Sequence, residues 1–218
     1  MNRMLPSALP FLLVVTSLGF PTGAKSASAS RDSSQGETAK AQELLPFGDL
    51  FTAEEMSRDF APHQFTPLGE SKLSFEILVP KGWESHLSEV DPGQLAHDTQ
   101  TPVPMAEFAP SGADDVGIQV LYMRVPGQAA LDVLLGEYVK KAGGTLLARQ
   151  RLESKGRTFE DALMRTNDDT LGPLLNRVST LRRGEIVYFF TGWGVEEKYE
   201  KYKRAFGAVL ASLNPTGI

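Results

Sequence analysis

The sequence predicts an α/β (α+β) fold, an α/β/α sandwich with a largely antiparallel central sheet flanked by helices. Three observations predict it. Strand-like apolar runs follow one another through short turns, and a turn of a few residues reverses the chain into an antiparallel neighbour, whereas parallel neighbours need a crossover of a dozen residues or more. Two segments, 131–142 and 195–213, carry apolar residues at helical three- and four-residue spacing. The run EIVYFFT, residues 185–191, is apolar on both alternating faces, with Ile186, Tyr188 and Phe190 on one and Val187 and Phe189 on the other. Such a strand needs cover on both sides, which favours three layers over two.

The first segment reads as an address. Arg3 supplies a positive start, residues 5–20 an apolar core, and Ala27, Ser28 and Ala29 an A-x-A cleavage pattern, which together describe a secretory signal peptide cut after Ala29. Pro6, Pro10, Ser17, Gly19 and Pro21 interrupt a run already short of the ~20 apolar residues of a membrane span. Residues 30–45 are rich in Ser, Ala, Gly and charge, with no apolar period in their first part, and read as a flexible linker. Residues 46–218 are then expected to form a single domain, long enough to bury a core.

Charge and cysteine content narrow the function classes. Cleavage would remove Arg3 and Lys25 and no acid, so the 22 basic side chains fall to 20 against 27 acidic ones, a formal charge of −7. That balance argues against a general binder of nucleic acid or anionic membrane. The absence of cysteine excludes a disulfide framework, thiol chemistry and a lipid-modified N-terminus. No stable membrane insertion is expected after cleavage.

Along the mature chain, Thr52 and Glu55 form a capping-box pattern, with Phe51 and Met56 as a hydrophobic staple, so a short helix is expected over 53–60. LSFEILV, residues 73–79, alternates Leu73, Phe75, Ile77 and Val79 as a strand. Pro80, Lys81, Gly82 and Trp83 end it with a turn, Trp83 packing back on the sheet edge, and residues 84–101 read as polar and irregular. Strands follow at 103–109 and 116–125, and a central helix whose stripe is Leu131, Leu134, Leu135, Tyr138, Val139 and Ala142, stopped by Gly143 and Gly144. Strands at 145–152, 157–166 and 174–182 lead into the two-faced run. Gly192, Trp193 and Gly194 are expected to break that strand and turn it into a closing helix, which Asn214 and Pro215 stop.

Chemistry-bearing residues are few. The chain contains no G-x-S-x-G elbow, H-E-x-x-H, P-loop or EF-hand loop, and Gly192-Trp193-Gly194 lacks the third glycine of a dinucleotide fingerprint. His86, Asp91, His97 and Asp98 share one irregular segment with the imidazole and carboxylate groups of a metal site, though their spacing is not diagnostic and loop histidines, His63 included, are ordinarily solvated. Asp114 and Asp115, and Asn167, Asp168 and Asp169, have the chemistry of a hard-cation site or an acid–base pair, but both clusters fall at predicted turns, where Asp and Asn are standard. No catalytic residue, cofactor or metal is assigned.

Two features suit a partner. Arg149, Arg151, Arg157 and Arg165 lie on neighbouring predicted strands as a basic stripe for an acidic partner, or as ordinary exposed sheet charge. Trp193 is either a surface anchor for a partner or a core residue.

A signal peptide, a strand ending in V-P-x-G-W (Val79, Pro80, Lys81, Gly82, Trp83), a mid-domain amphipathic helix, an antiparallel meander ending in an aromatic strand and a last helix together resemble the PsbP-like superfamily. The resemblance covers about residues 73–213 and includes photosystem II extrinsic, Ran-binding Mog and periplasmic DcrB-type proteins. It implies an α/β/α sandwich and, in most members, a noncatalytic role in binding or assisting larger assemblies. The expected function is therefore an exported, noncatalytic binding or accessory protein of the bacterial cell envelope, periplasmic or secreted, with a protein partner. The alternatives are a small-ligand carrier with an apolar pocket beneath the central helix, lined by Leu135 and Tyr138, and a hydrolase using the segment from His86 to Asp98.

Overall fold

A computed structural model describes residues 51–67, 70–88 and 101–217. The expected signal peptide and linker, residues 1–29 and 30–45, lie outside the described residues, as do Asp91, His97 and Asp98.

The chain runs α1 (Ala53–Asp59), β1 (Phe60–Phe65), β2 (Phe75–Pro80), β3 (Trp83–Leu87), β4 (Val103–Pro110), β5 (Val116–Arg124), α2 (Leu131–Lys141), β6 (Thr145–Ser154), β7 (Arg157–Asp168), β8 (Gly172–Arg183), β9 (Ile186–Val195), α3 (Glu196–Ser212) and the two-residue β10 (Asn214–Pro215). Among the described residues seven strands form one sheet in the order β3-β4-β5-β9-β8-β7-β6, and β1, β2 and β10 form a second. Every pairing is antiparallel.

The two-faced strand β9 lies at the centre, between β5 and β8. Its Tyr188 and Phe190 join a core shared with Phe75, Ile77 and Val79 of β2 and with Phe206, Val209 and Leu210 of α3. Its Val187 and Phe189 join a second core with Leu134, Leu135 and Val139 of α2. One face of the large sheet is thus covered by α3 together with the small sheet, and the other by α2. This is the expected helix–sheet–helix layering, with a three-stranded sheet added to the α3 layer. Burying each large apolar side chain stabilises the fold by about 1.5–3 kcal/mol relative to exposure, so the three buried residues of α2 suffice to fix a short helix against the sheet.

The helix starts follow local chemistry. In α1, Thr52 Oγ1 accepts from Glu55 N at 3.1 Å and Glu55 Oε2 accepts from Thr52 N at 2.7 Å, closing the expected capping box. Helix α2 ends where Gly143 takes a left-handed φ of 64° and Gly144 N donates to Val139 O at 3.0 Å.

Several expectations need correction. Gly192, Trp193 and Gly194 do not break β9, which continues to Val195. Neither glycine has a positive φ. Their task is close approach: a Cβ on Gly192 would sit 2.6 Å from Cγ of Phe206, so only a bare backbone lets α3 lie flat on the strand. Residues 84–87 are not irregular but belong to β3, an edge strand with little burial to give it an apolar alternation. Residues 60–65 form β1 despite Pro62, because β1 pairs only with β2 and an edge strand tolerates a missing N–H. Residues 214–215, expected only as a helix stop, also pair with β2.

Candidate binding surface

A β-hairpin with a two-residue loop decides where the arginines point. Lys155, at φ 51°, and Gly156, at φ 71°, form the turn, and Ser154 pairs with Arg157. From Ala148 to Ser154, odd-numbered residues of β6 therefore stand opposite even-numbered residues of β7. Arg149 pairs with Ala162 and Arg151 with Glu160, on the α2 side of the sheet. Arg157 and Arg165 share the other face with Phe159 and Leu163, on the α3 side. The four do not form one stripe.

Their surroundings separate them further. Arg149 Nη2 and Arg151 Nε each lie 3.6 Å from a carboxylate oxygen of Glu160, whose side chain is only 10% exposed. At that distance neither pair is a hydrogen bond, so both guanidinium groups neutralise Glu160 while keeping donors for another acceptor. Arg157 donates to the Leu213 carbonyl and, at 3.3 Å, to Asn214 Oδ1, tying β7 to the end of α3; its burial pushes the guanidinium below its ordinary pKa. Arg165 is exposed at the far end of β7.

Trp193 is half-buried on the α2 side, in line with Phe189 and Thr191. It lies across from Gly117 on β5, and a Cβ there would meet its Cε2 and Cζ2 at 3.3 Å. The indole thus rests on bare backbone, with part of its surface left to solvent.

Beside these residues is a cleft of about 480 Å³ between α2 and β6, lined by Leu135, Gly136, Val139 and Lys140 of the helix and Leu146 and Arg149 of the strand, with Ala162 among its walls. The volume lies within the range of small-ligand sites, roughly 300–1,000 Å³. The sequence pointed to a pocket under this helix lined by Leu135 and Tyr138. Leu135 does line the cleft. Tyr138 does not: its ring stacks on Phe189 with centroids 5.1 Å apart, its hydroxyl lies 3.5 Å from Thr191 Oγ1, and burial raises its pKa.

The polar groups expected to carry chemistry are placed otherwise. His63 and His86 are exposed, on β1 and β3. Among the described residues, no group of three or more His, Asp or Glu side chains is placed to hold a metal. Asp168 Oδ1 accepts from Thr170 N at 2.8 Å and Leu171 N at 2.9 Å, the self-bonded turn its composition suggested. Asp115 lies 3.9 Å from Lys198 Nζ and its carbonyl accepts from Val195 N.

A buried ion pair went unrecognised in the sequence. Arg177 Nη2 donates to Asp161 Oδ2 at 2.7 Å, Ser179 Oγ donates to Oδ1 at 2.6 Å and Gln150 Nε2 to Oδ2 at 2.8 Å, beneath α3. Asp161 and Arg177 are 0% and 1% exposed. The carboxylate's acceptors are filled from inside the protein, so the pair reads as structural. Also missed were Gly136, Lys140 and Leu146. The visible signals were a glycine on the open side of an amphipathic helix and a leucine at the start of an edge strand.

No helix of the described residues is long and apolar enough to cross a membrane. No protein-family model and no curated sequence matches the chain. Among solved structures, the chain is similar to the cyanobacterial PsbP protein CyanoP from Synechocystis sp. PCC 6803, at 14% identity and a TM-score of 0.53, over 79% of this chain and 98% of that one. A Pseudomonas aeruginosa protein of unknown function aligns at 12% identity and a TM-score of 0.42, over 72% of this chain and 99% of that one. A Bacteroides thetaiotaomicron protein aligns at 11% identity and a TM-score of 0.42, over 70% of this chain and 47% of that one. The three-layer antiparallel architecture and the CyanoP superposition together show that this chain has the PsbP-like fold.

Proposed function

We propose that the protein is an exported, noncatalytic accessory protein of the bacterial cell envelope, acting through protein contacts with a larger assembly. The observation that carries this reading is the composition of the α2 side of the sheet. There a half-exposed Trp193, two arginines and the exposed apolar residues Val133 (53%) and Leu146 (49%) belong to one layer. Aromatic and arginine side chains with scattered exposed apolar groups are the usual content of a protein interface. The PsbP-like fold adds an analogy, since the resemblance implies noncatalytic work beside larger assemblies. Trp193, Arg149 and Arg151 are the contact residues in this reading; Arg157 and Arg165 serve the opposite face.

Export rests on the signal-peptide pattern ending at Ala29. Residues 30–45 act as a linker and residues 46–218 as one working domain, released periplasmic or secreted.

The test is crosslinking in the native envelope with the tagged full-length chain, read by mass spectrometry beside a version lacking residues 1–29. A stoichiometric partner lost on Trp193→Ala supports the proposal. Recovery of no protein from folded material, with turnover of a substrate instead, defeats it. The cleft favours a second reading, a small-ligand carrier, which predicts a ligand retained through purification and visible by native mass spectrometry.

A further inference from the structure

We infer that the partner enters as an extended acidic segment that adds a strand to the outer edge of β6 and drops apolar side chains into the cleft beside α2. This rests on the protein-contact reading above and names the chemistry of the contact.

Strand β6 ends the seven-stranded sheet and pairs, among the described residues, with β7 alone. In an antiparallel ladder every second residue turns its N–H and C=O away from its partner. The edge is ten residues long, a template for another chain. Its bulge between Leu146 and Ala148 bends only the start of the strand and leaves a regular register from Ala148 to Ser154.

What distinguishes this edge is the cleft that it shares with a helix. The cleft runs between α2 and β6, so a strand added outside β6 has every second side chain facing it. Leu135, Val139, Leu146 and Ala162 give the cleft apolar walls, and Leu146 is 49% exposed. No Cβ blocks the approach at Gly136, which has nothing within 4 Å of where one would sit. Val133, also exposed, continues this side of the helix three residues before Gly136 and seven before Lys140.

Charge sets the sign of the occupant. Lys140 and Arg149 line the cleft, and Arg151, its side chain 70% exposed, follows along the same side of β6. Both arginines stand 3.6 Å from Glu160, close enough to balance it and free to donate hydrogen bonds to a second carboxylate. The complementary segment alternates apolar with acidic residues.

The experiment uses the mature chain and a ten-residue peptide of alternating valine and glutamate, followed by amide NMR and hydrogen exchange. An alternating valine–lysine peptide is the charge control, and sodium dodecanoate the small-amphiphile control. The valine–glutamate peptide is expected to slow exchange of alternate β6 amides at least about tenfold and to shift α2 signals, and the valine–lysine peptide to do neither. Lys140→Glu and Leu146→Asp, both at exposed positions, each weaken binding about tenfold, with unchanged amide spectra elsewhere reporting an intact fold. No protection of β6 at saturating peptide overturns the inference, as does equal binding of the lysine peptide. Shifts produced by dodecanoate alone also overturn it, in favour of a small-amphiphile site. If envelope crosslinking still recovers a partner with the Lys140→Glu and Leu146→Asp variants, the accessory role stands and this docking mode fails.

Discussion

Replacing Gly192 by alanine tests the packing of α3 on β9. The added carbon would lie 2.6 Å from Cγ and 2.9 Å from both Cβ and Cδ1 of Phe206. Carbon atoms attract best at about 3.5–4.0 Å, so the helix must retreat by about 1 Å. The obstacle is the root of the phenyl ring, held in a fully buried position, and not the free end of a flexible chain. Overpacking of this kind costs about 1–3 kcal/mol, occasionally more, and a severe contact belongs at the upper end. Alanine recovers about 0.5–1 kcal/mol by restricting the unfolded chain, leaving a net loss of roughly 2 kcal/mol. For a domain of this size that lowers Tm by about 4–8 °C. Urea unfolding of the protein, followed by circular dichroism, gives the free energy. A cycle with Phe206→Ala isolates the contact, because removing the ring makes room for the new methyl and the two changes should couple favourably by about 1 kcal/mol or more. Stability of Gly192→Ala within about 0.5 kcal/mol of the parent, or strict additivity in the cycle, would refute the view that this glycine exists to admit the helix.

Three further outcomes follow from features already described. Arg177→Met leaves the Asp161 carboxylate buried without its guanidinium and should cost about 3–5 kcal/mol, whereas Arg177→Met with Asp161→Leu should recover most of that loss in urea titrations. Burial raises the Tyr188 phenol from 10.0 to about 12, against a smaller opposing effect of Arg183. The folded state therefore holds that proton more tightly, and the contribution, roughly 3 kcal/mol, is complete below pH 10 and lost as pH rises toward about 12. Urea midpoints measured upward from pH 9 should fall steeply in the parent and less in Tyr188→Phe. Lys155→Asn, at a left-handed turn position followed by Gly156, should raise stability by about 0.5 kcal/mol or more, seen as a higher Tm.

The sequence made the layers legible wherever burial imposed a period. The two-sided run of β9, the stripe of α2 and the stripe of α3 follow from the faces they must hide. Two edges escaped because they hide little: β3, with His86 and Leu87 exposed, has no alternation to read, and β1 carries three exposed residues in a row around His63. Gly192 and Gly194 misled because glycine marks both a turn and a close approach, and only the position of Phe206 decides between them. The arginines were visible one by one, but their division between two faces depends on the hairpin register set at Lys155 and Gly156. The cleft belongs to no single segment; its walls come from α2, β6 and β7.

The seam between residues 212–217 and β2 carries a consequence in time. Leu78 N donates to Ser212 Oγ, Asn214 and Pro215 pair with Glu76 and Phe75, and Thr216 N and Gly217 N both donate to Ser74 O. The side-chain bonds at this seam join residues 134 and 138 positions apart. A ribosome delivers β2 long before it delivers the strand and helix that cover Phe75, Ile77 and Val79. Until then the emerging chain holds an open half-core, and the late, long-range closure makes folding slow and cooperative.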